Sequence, residues 1–539
     1  MVRDSKAFRV ERCVFPSRLC VSLVGLVSAL ALSACGNLMS TPTDTPAQVV
    51  FATPLAEIVD GVRLSPLDNT WDGYGEAVDV RGDFLVIGAP EWNHFGPGSA
   101  YVYRFSGGEW REEAQLTASD RDVFIQQAER IEGQRFGSAV ALGDGIVAIG
   151  APGNTHSMAG EYSGAVYVFE HDGQTWVERA KLTPNHLEQD NVQTEMEWSD
   201  YSRMRPRSFG ALVALDGDTL AVGGDSATNS VYVFQRGEDG WRAQARVPIP
   251  GSTGKDLYMA SLALFGDTLA LSAFYALPPP EPARVLTGDV IVYVFERAGD
   301  AWKESLRFIP EGAEMDFLFL REMNVGASVT LGGASGQANL LAIGLPGFPD
   351  WSGVQEHVGL SGVSPQQKPE FPESGHQTGA VYIFGRAEEG GWRRQATLRP
   401  TGWENPPGPG SLFSGVPSTT DGNQGAFDEA AYYASVVYPG HVFSEDPEIS
   451  FFGATVDLDE NLLAVTAGYA NATYVFEHQR QDWAYRFRIV PRPEEPGLWE
   501  DFAQVVAISG DTLLLGTPGE FGNSAYVFDL CVQPSGICK

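Results

Sequence analysis

The sequence predicts an all-β fold of repeated four-stranded antiparallel sheets, and three observations carry that expectation. A phrase returns seven times, beginning near Tyr74, Phe136, Phe209, Tyr258, Val325, Phe452 and Phe502, and its cleanest copy is FGSAVALGDGIVAIGAP followed by GAVYVFE and Trp176. Each copy reads as a short strand, a Gly-Asp turn, a second strand, a variable loop and a third strand of the form xYVF. A fourth strand is marked by Trp110, Trp176, Trp241, Trp302, Trp392 or Trp483. Segments such as Leu220 to Val222, Val231 to Phe234 and Leu462 to Val465 are continuously apolar, where a sheet with one wet face would alternate, so both faces are covered. Sheets that each need a neighbour on both sides stack into a ring, and the architecture these observations imply is a seven-bladed β-propeller.

Taken along the chain, residues 1–34 read as a lipoprotein signal peptide: Arg9, Arg12 and Arg18 precede an apolar stretch from Leu19 to Leu32 that is too short to span a membrane. Leu32-Ser33-Ala34-Cys35-Gly36 resembles the bacterial lipobox, which implies lipidation of Cys35 and removal of what precedes it. Residues 35–56, rich in Ser, Thr and Pro after Cys35, read as a flexible tether. The propeller is expected over 57–530. The seventh copy stops after Tyr526-Val527-Phe528 without a fourth strand, whereas Arg63-Leu64-Ser65-Pro66 matches Lys181-Leu182-Thr183-Pro184 at the end of the second copy. A strand near Glu57 to Leu64 is therefore expected to complete the last blade and close the ring. Beyond it lies a tail, 531–539, in which Cys531 and Cys538 are expected to pair in an oxidising envelope.

The recurring phrase resembles the FG-GAP repeat of the integrin α-subunit propeller and of bacterial surface proteins, Phe136-Gly137 and Gly150-Ala151-Pro152 supplying the residues that give the motif its name. The resemblance implies the propeller fold. In integrins it also implies calcium held by Asp-x-Asp-x-Asp-Gly loops between strands one and two. Here those connections are Gly82-Asp83, Gly143-Asp144, Gly217-Asp218, Gly266-Asp267 and Gly510-Asp511, two-residue turns too short to wrap a cation. No integrin-type calcium site transfers to this chain. Weaker clusters with partial ligand spacing are Asp68-Asn69 with Asp72-Gly73, and Asp421, Asn423 and Asp428; otherwise no cofactor is expected.

The formal net charge is −33, and losing the five basic and two acidic side chains of residues 1–34 takes it to −36. Such a surface repels nucleic acid and anionic headgroups, so membrane association is expected to rest on the lipid. Arg81-Gly82-Asp83 spells an adhesion tripeptide, yet it sits where four other copies also place Gly-Asp, so turn chemistry explains it. The eight His are scattered without i, i+4 metal spacing, and no GxSxG elbow surrounds a Ser. An enzyme is not expected.

In an antiparallel meander the turns between strands one and two and between three and four leave one rim, and the remaining connections leave the other. The first rim carries short turns, apart from a lengthened one at Gly332 to Asn339. The second carries the insertions Phe274 to Gly288, Gly347 to Thr378, Thr117 to Arg135, Thr183 to Ser208 and Thr401 to Ser450. Variable loops on a rigid scaffold carry binding sites. The longest insertion, between the fifth and sixth copies, holds seven carboxylates and no Lys or Arg. Trp403, Phe427, Asp428, Glu429, Tyr432, Tyr433 and Tyr438 within it combine the stacking rings and acceptors that suit a glycan or a cationic protein segment. The expected protein is a monomeric, lipid-anchored outer-membrane propeller, periplasmic or surface-exposed, that binds a protein or glycan. The alternatives are a periplasmic scaffold for envelope assembly and a glycan-acting hydrolase.

Overall fold

Each copy folds as the periodicity predicts. In the second, strands Ala139–Gly143, Ile146–Ala151, Ala165–His171 and Trp176–Leu182 pair in sequence order, all antiparallel. This computed structural model describes residues 48–52, 57–58, 61–66, 73–90, 97–121, 134–154, 164–184, 209–225, 229–251, 257–276, 287–309, 314–316, 327–334, 336–346, 377–387, 390–400, 449–468, 471–479, 482–490, 504–518 and 523–531. The contacts define a compact unit that begins at Gln48.

The same meander is built from Val78–Arg81 to Glu109–Leu116 in the first copy, from Leu212–Asp216 to Gly240–Pro248 in the third and from Leu257–Phe265 to Ala301–Phe308 in the fourth. Ser328–Ala334 to Trp392–Pro400 and Ile449–Asp459 to Asp482–Ile489 form the fifth and sixth. In the last copy, Val505–Ser509, Thr512–Thr517 and Ser524–Asp529 are joined by Val62–Leu64, antiparallel to the third strand. Arg63 lies opposite Tyr526 as Lys181 lies opposite Tyr167, the correspondence that the matched Arg-Leu-Ser-Pro and Lys-Leu-Thr-Pro phrases anticipate. The remainder of the expected closing strand goes elsewhere. Glu57–Ile58 runs parallel to Arg488 and Ile489 of the sixth copy, and Gln48–Ala52, within the stretch read as tether, runs parallel to residues 396–400 of the fifth.

Burial follows from the stacking. Second strands such as Ile146–Ala151 are buried throughout, whereas fourth strands such as Glu109–Leu116 alternate between exposed and partly covered. Each apolar cluster is shared by two successive copies, as where Val86 and Val102 meet Val147, Ile149 and Tyr167. The last sheet meets the first in the same way, Leu514, Ala525 and Val527 packing with Leu85, Ile87 and Tyr101.

The repeated phrase is the signature of this stacking. Phe136 packs edge-on against Tyr167 and Phe169 of its own sheet, with ring centroids 5.4 and 6.2 Å apart, and Phe209 and Phe452 repeat the arrangement. The first copy has Tyr at both places, and the Tyr74 and Tyr103 hydroxyls hydrogen-bond each other at 2.8 Å, so neither is buried unpaired. The two glycine pairs of the motif meet across the junction between sheets. A Cβ on Gly150 would collide with the carbonyl oxygen of Gly210, and Gly88 against Gly137, Gly344 against Gly453 and Gly516 against Gly75 repeat that approach.

The turns depart from expectation in two places. In the second copy Gly143 still pairs with Ile146, and Asp144-Gly145 form the turn with Gly145 at φ 70°, because this copy has a glycine at the position that the others fill with Asp. In the fifth copy the stretch Gly332 to Asn339 is a longer hairpin with Ala334 opposite Gln337, not a lengthened loop, because a bulge at Gly332 and Gly333 lets both strands continue.

Candidate functional site

The two ends of the sheets differ as strand order requires. At the short-turn end Gly82, Gly217, Gly266 and Gly510 hold φ between 54° and 57°. Arg81 of the adhesion-like tripeptide is spent internally, its Nε 2.9 Å from Asp144 of the next copy. Third-strand residues stack on the Trp opposite: Arg297 over Trp302 at 5.0 Å, Arg386 over Trp392 at 5.1 Å, and His478 on Trp483 at 5.0 Å. Arginines at this third-strand position also reach the preceding sheet, with Arg236 2.8 Å from Glu170 and Arg386 3.0 Å from Glu296. The recurring xYVF and Trp positions are thus packing and sheet-to-sheet ties.

The first strands of successive copies neighbour one another, and beyond the parallel pairing of Ile449 and Phe452 with Gln377 and Gly379 each has one edge outside the ladders, whose N–H groups need acceptors. Side chains at alternate positions of one first strand supply them to the next. Ser261 Oγ accepts from Val329 N at 3.1 Å and Ser328 Oγ from Val456 N at 3.1 Å. Two residues further along, Asp79 Oδ2 accepts from Leu142 N at 2.6 Å and Asp457 Oδ2 from Ile508 N at 2.8 Å. Two residues further again, Asp216 Oδ2 accepts from Gly266 N at 2.7 Å and Asp459 Oδ2 from Gly510 N at 2.6 Å. The spacing of two is that of a strand, which turns every second side chain toward the same neighbour.

Asp79 and Asp457 occupy equivalent positions in the first and sixth copies, and each also accepts the N–H of its own following residue, Val80 at 2.8 Å and Leu458 at 2.9 Å. Burial pushes Asp79 up to about 7; the N–H of Leu142 opposes this and the charge of Asp457 reinforces it. Burial likewise raises Asp457 to about 6 against the hydrogen bonds from Ile508, Leu458 and Thr330. Glu76, at the loop-bearing end of the first copy, is raised to about 8 by burial, opposed by Arg135 with an N–O separation of 3.8 Å.

At that end a polar cluster fixes the connection between the first and second sheets. Asp120 accepts from Lys181 Nζ at 2.6 Å, Tyr167 Oη at 2.6 Å and Gln134 Nε2 at 3.1 Å, and Lys181 also donates to Asn154 Oδ1 at 3.2 Å. Burial would raise the Asp120 carboxyl, but the bonds from Lys181, Tyr167 and Gln134 hold it below its ordinary value. The pairing behind this cluster recurs in register, Tyr232 facing Arg246, Tyr293 facing Arg307 and Tyr474 facing Arg488. Asp120, Lys181, Tyr167 and Asn154 bond one another, which suits them to hold loops in place.

The residues singled out for binding, Trp403, Phe427, Asp428, Glu429, Tyr432, Tyr433 and Tyr438, lie outside the described residues, as do Cys35, Cys538, Asp421 and Asn423. Cys531 lies two residues beyond the end of the last described strand. Among the described residues no group of three or more His, Cys, Asp or Glu is placed to hold a metal ion. The first-strand acids escape a reading of single copies, because the partner of each lies in the next copy. Aligning the copies and asking which positions put Asp or Ser among Ala would have marked them.

Residues 110–169 match the FG-GAP repeat model. The FG-GAP match runs from the fourth strand of the first copy through the third strand of the second, and so takes in the Phe136-Gly137 and Gly150-Ala151-Pro152 pairs. Among curated proteins none matches the chain. Solved structures superpose loosely. A chain of the mitotic checkpoint complex is 10% identical over 91% of this chain and 95% of that one, with a TM-score of 0.41. The WD40 domain of Toxoplasma gondii coronin is 9% identical over 90% and 89%, with a TM-score of 0.40. A Bacteroides uniformis protein named for 6-phosphogluconolactonase is 12% identical over 77% and 85%, with a TM-score of 0.37. Likenesses at this level assign no ligand and no activity.

Proposed function

We propose that the chain is a lipid-anchored, seven-bladed FG-GAP propeller of the bacterial envelope that binds a protein or glycan through its loop-bearing end, without chemistry. The observation that carries this reading is the segregation of variation. Every copy spends minimal turns at one end of its sheet, while the insertions leave the other, where a rigid scaffold presents them together. Closure into a ring is supported by the packing of the last sheet on the first and by the fourth strand that Val62–Leu64 contributes. The signal segment, Cys35, the Cys531–Cys538 pairing and a location outside the cytoplasm belong to the same proposal.

The test is a binding screen of residues 36–539 against glycans and envelope proteins, with and without calcium and with 401–450 deleted. Binding lost on deletion is the expected result, and binding that survives moves the site to another loop. Turnover of any glycan overturns a purely binding role, and protection from protease on intact cells places the protein in the periplasm.

A further inference from the structure

We infer that the paired segments Gln48–Ala52, Glu57–Ile58 and Val62–Leu64 act as one clasp that fastens the sheets of the fifth, sixth and seventh copies to each other from the outside. Completion of the last sheet needs only the third of these segments. The first two instead add parallel strands to the outer edges of the fifth and sixth copies, at residues 396–400 and at Arg488 and Ile489, in a ten-stranded sheet that Gln377 and Gly379 already join by parallel pairing with Ile449 and Phe452. Gln48 ties the first two contacts together. In register with Ala396 of the fifth copy, it receives a hydrogen bond from Trp483 N at 2.9 Å and donates one to Trp483 O at 3.2 Å, so its side-chain amide pairs with the sixth copy as a strand residue would. Val50 is buried in the core shared by these two copies, beside Leu398 and Tyr485.

The location gives the clasp a purpose. Between the fifth and sixth sheets the chain takes residues 401–448, forty-eight residues, whereas the clasp crosses with residues 53–56 alone. Closure entropy rises with the length of a connection, so the four-residue bridge restrains this junction far more than the long one does. The clasp also covers two outer edges whose free N–H and C=O groups would otherwise be open to pairing with another chain. It therefore steadies the sheets that flank the longest insertion, and any pull on the chain ahead of Gln48 is shared among three sheets.

Hydrogen exchange on the full chain tests this. Val50→Pro, which removes an N–H and bends the added strand, is expected to speed exchange at least tenfold in Trp392–Pro400 and Asp482–Ile489 and to leave Ile146–Ala151 protected. Unchanged exchange in the two outer strands overturns the clasp, and so does an equal rise in every sheet. A second measurement does not depend on a weakened fold: with V49C and T397C at register partners, mild oxidation is expected to give an intramolecular disulfide located by peptide mapping. Failure of that crosslink to form also overturns the proposal.

Discussion

The first and the third strands of these sheets meet the same demand, joining one copy to the next, with opposite chemistry. On the first strands the ties are few and enclosed: Asp79, Asp216, Asp457 and Asp459 each accept a backbone N–H from the following copy at 2.6 to 2.8 Å. On the outer side of the sheets the ties are long cations opposite Trp, paired with an acid of the preceding copy, partly in water. Arg236, with 37% of its side chain exposed, reaches Glu170, and Arg386, 30% exposed, reaches Glu296. Removing a buried acceptor leaves a donor unpaired, whereas removing an exposed ion partner returns its mate to solvent. The junctions are therefore expected to be set near the inner strands and only trimmed outside.

The largest effect should come from the backbone contact that both kinds of tie presuppose. Gly150→Ala puts a Cβ into the carbonyl of Gly210, and because the neighbour is backbone, a whole sheet must move; a loss of about 3 kcal/mol or more is expected in urea unfolding. Gly82→Ala is the control: nothing lies near its Cβ, φ is 57°, and the loss should be about 1 kcal/mol. Equal losses would mean that a Cβ at Gly150 costs no more than one at the Gly82 turn and that sheets do not meet at the motif.

This contact marks the limit of what the sequence discloses. The period, the turns and the xYVF cores are local, and they can be read from one copy, as can the match of Arg63-Leu64 to Lys181-Leu182. What lies between copies has no local mark. Asp79 in Val-Asp-Val-Arg looks like any polar residue of an alternating strand, and its partner, Leu142, is in the next copy. Gln48 to Ala52 is harder still, because the strand it joins is more than three hundred residues away and parallel addition leaves no turn signature. The binding residues proposed on the 401–450 insertion rest on composition alone, since its sequence carries no period from which a shape could be derived.

The inner ties respond to pH near neutrality. In the unfolded chain the carboxyls of Asp79 and Asp457 titrate near 4. In the folded chain burial moves them up to about 7 and about 6. A raised carboxyl favours the folded state only while protonated. The stability it supplies is complete below pH 4 and is lost as the pH rises to the folded values. The urea midpoint is therefore expected to be higher at pH 5 than at pH 8, and Glu76, raised to about 8, acts in the same direction. Asp457→Asn stays neutral and should remove about 2 kcal/mol of that dependence while lowering stability at pH 5, since an amide cannot accept from both Ile508 and Leu458 through two oxygens. A pH profile indifferent to this substitution would place the carboxylate in water and end the contrast between inner and outer ties.

Next in size is a gain. In the sixth copy Glu460 stands where other copies have glycine, and it holds φ 49° beside Asp459, whose carboxylate already spans the junction. Glu460→Gly relieves a left-handed backbone without touching that tie, and about 1 kcal/mol of stabilisation is expected. Loss of stability instead would show that the Glu460 side chain contributes more than its backbone costs.

The smallest effect is expected at the outer ties. Arg236→Ala removes contacts to Glu170 at 2.8 Å and to Asp218 at 3.5 Å, but both partners lie where water can replace the guanidinium, and salt screens what remains. The loss should be at most about 0.5 kcal/mol and should vanish in high salt. Arg297 offers the sharper version, because only 17% of its side chain is exposed and it lies over Trp302, so part of its contribution is packing that salt does not screen. If Arg236→Ala proved as costly as Asp457→Asn, the outer cations would be structural equals of the buried carboxylates, and the junctions would be held across the full width of each sheet.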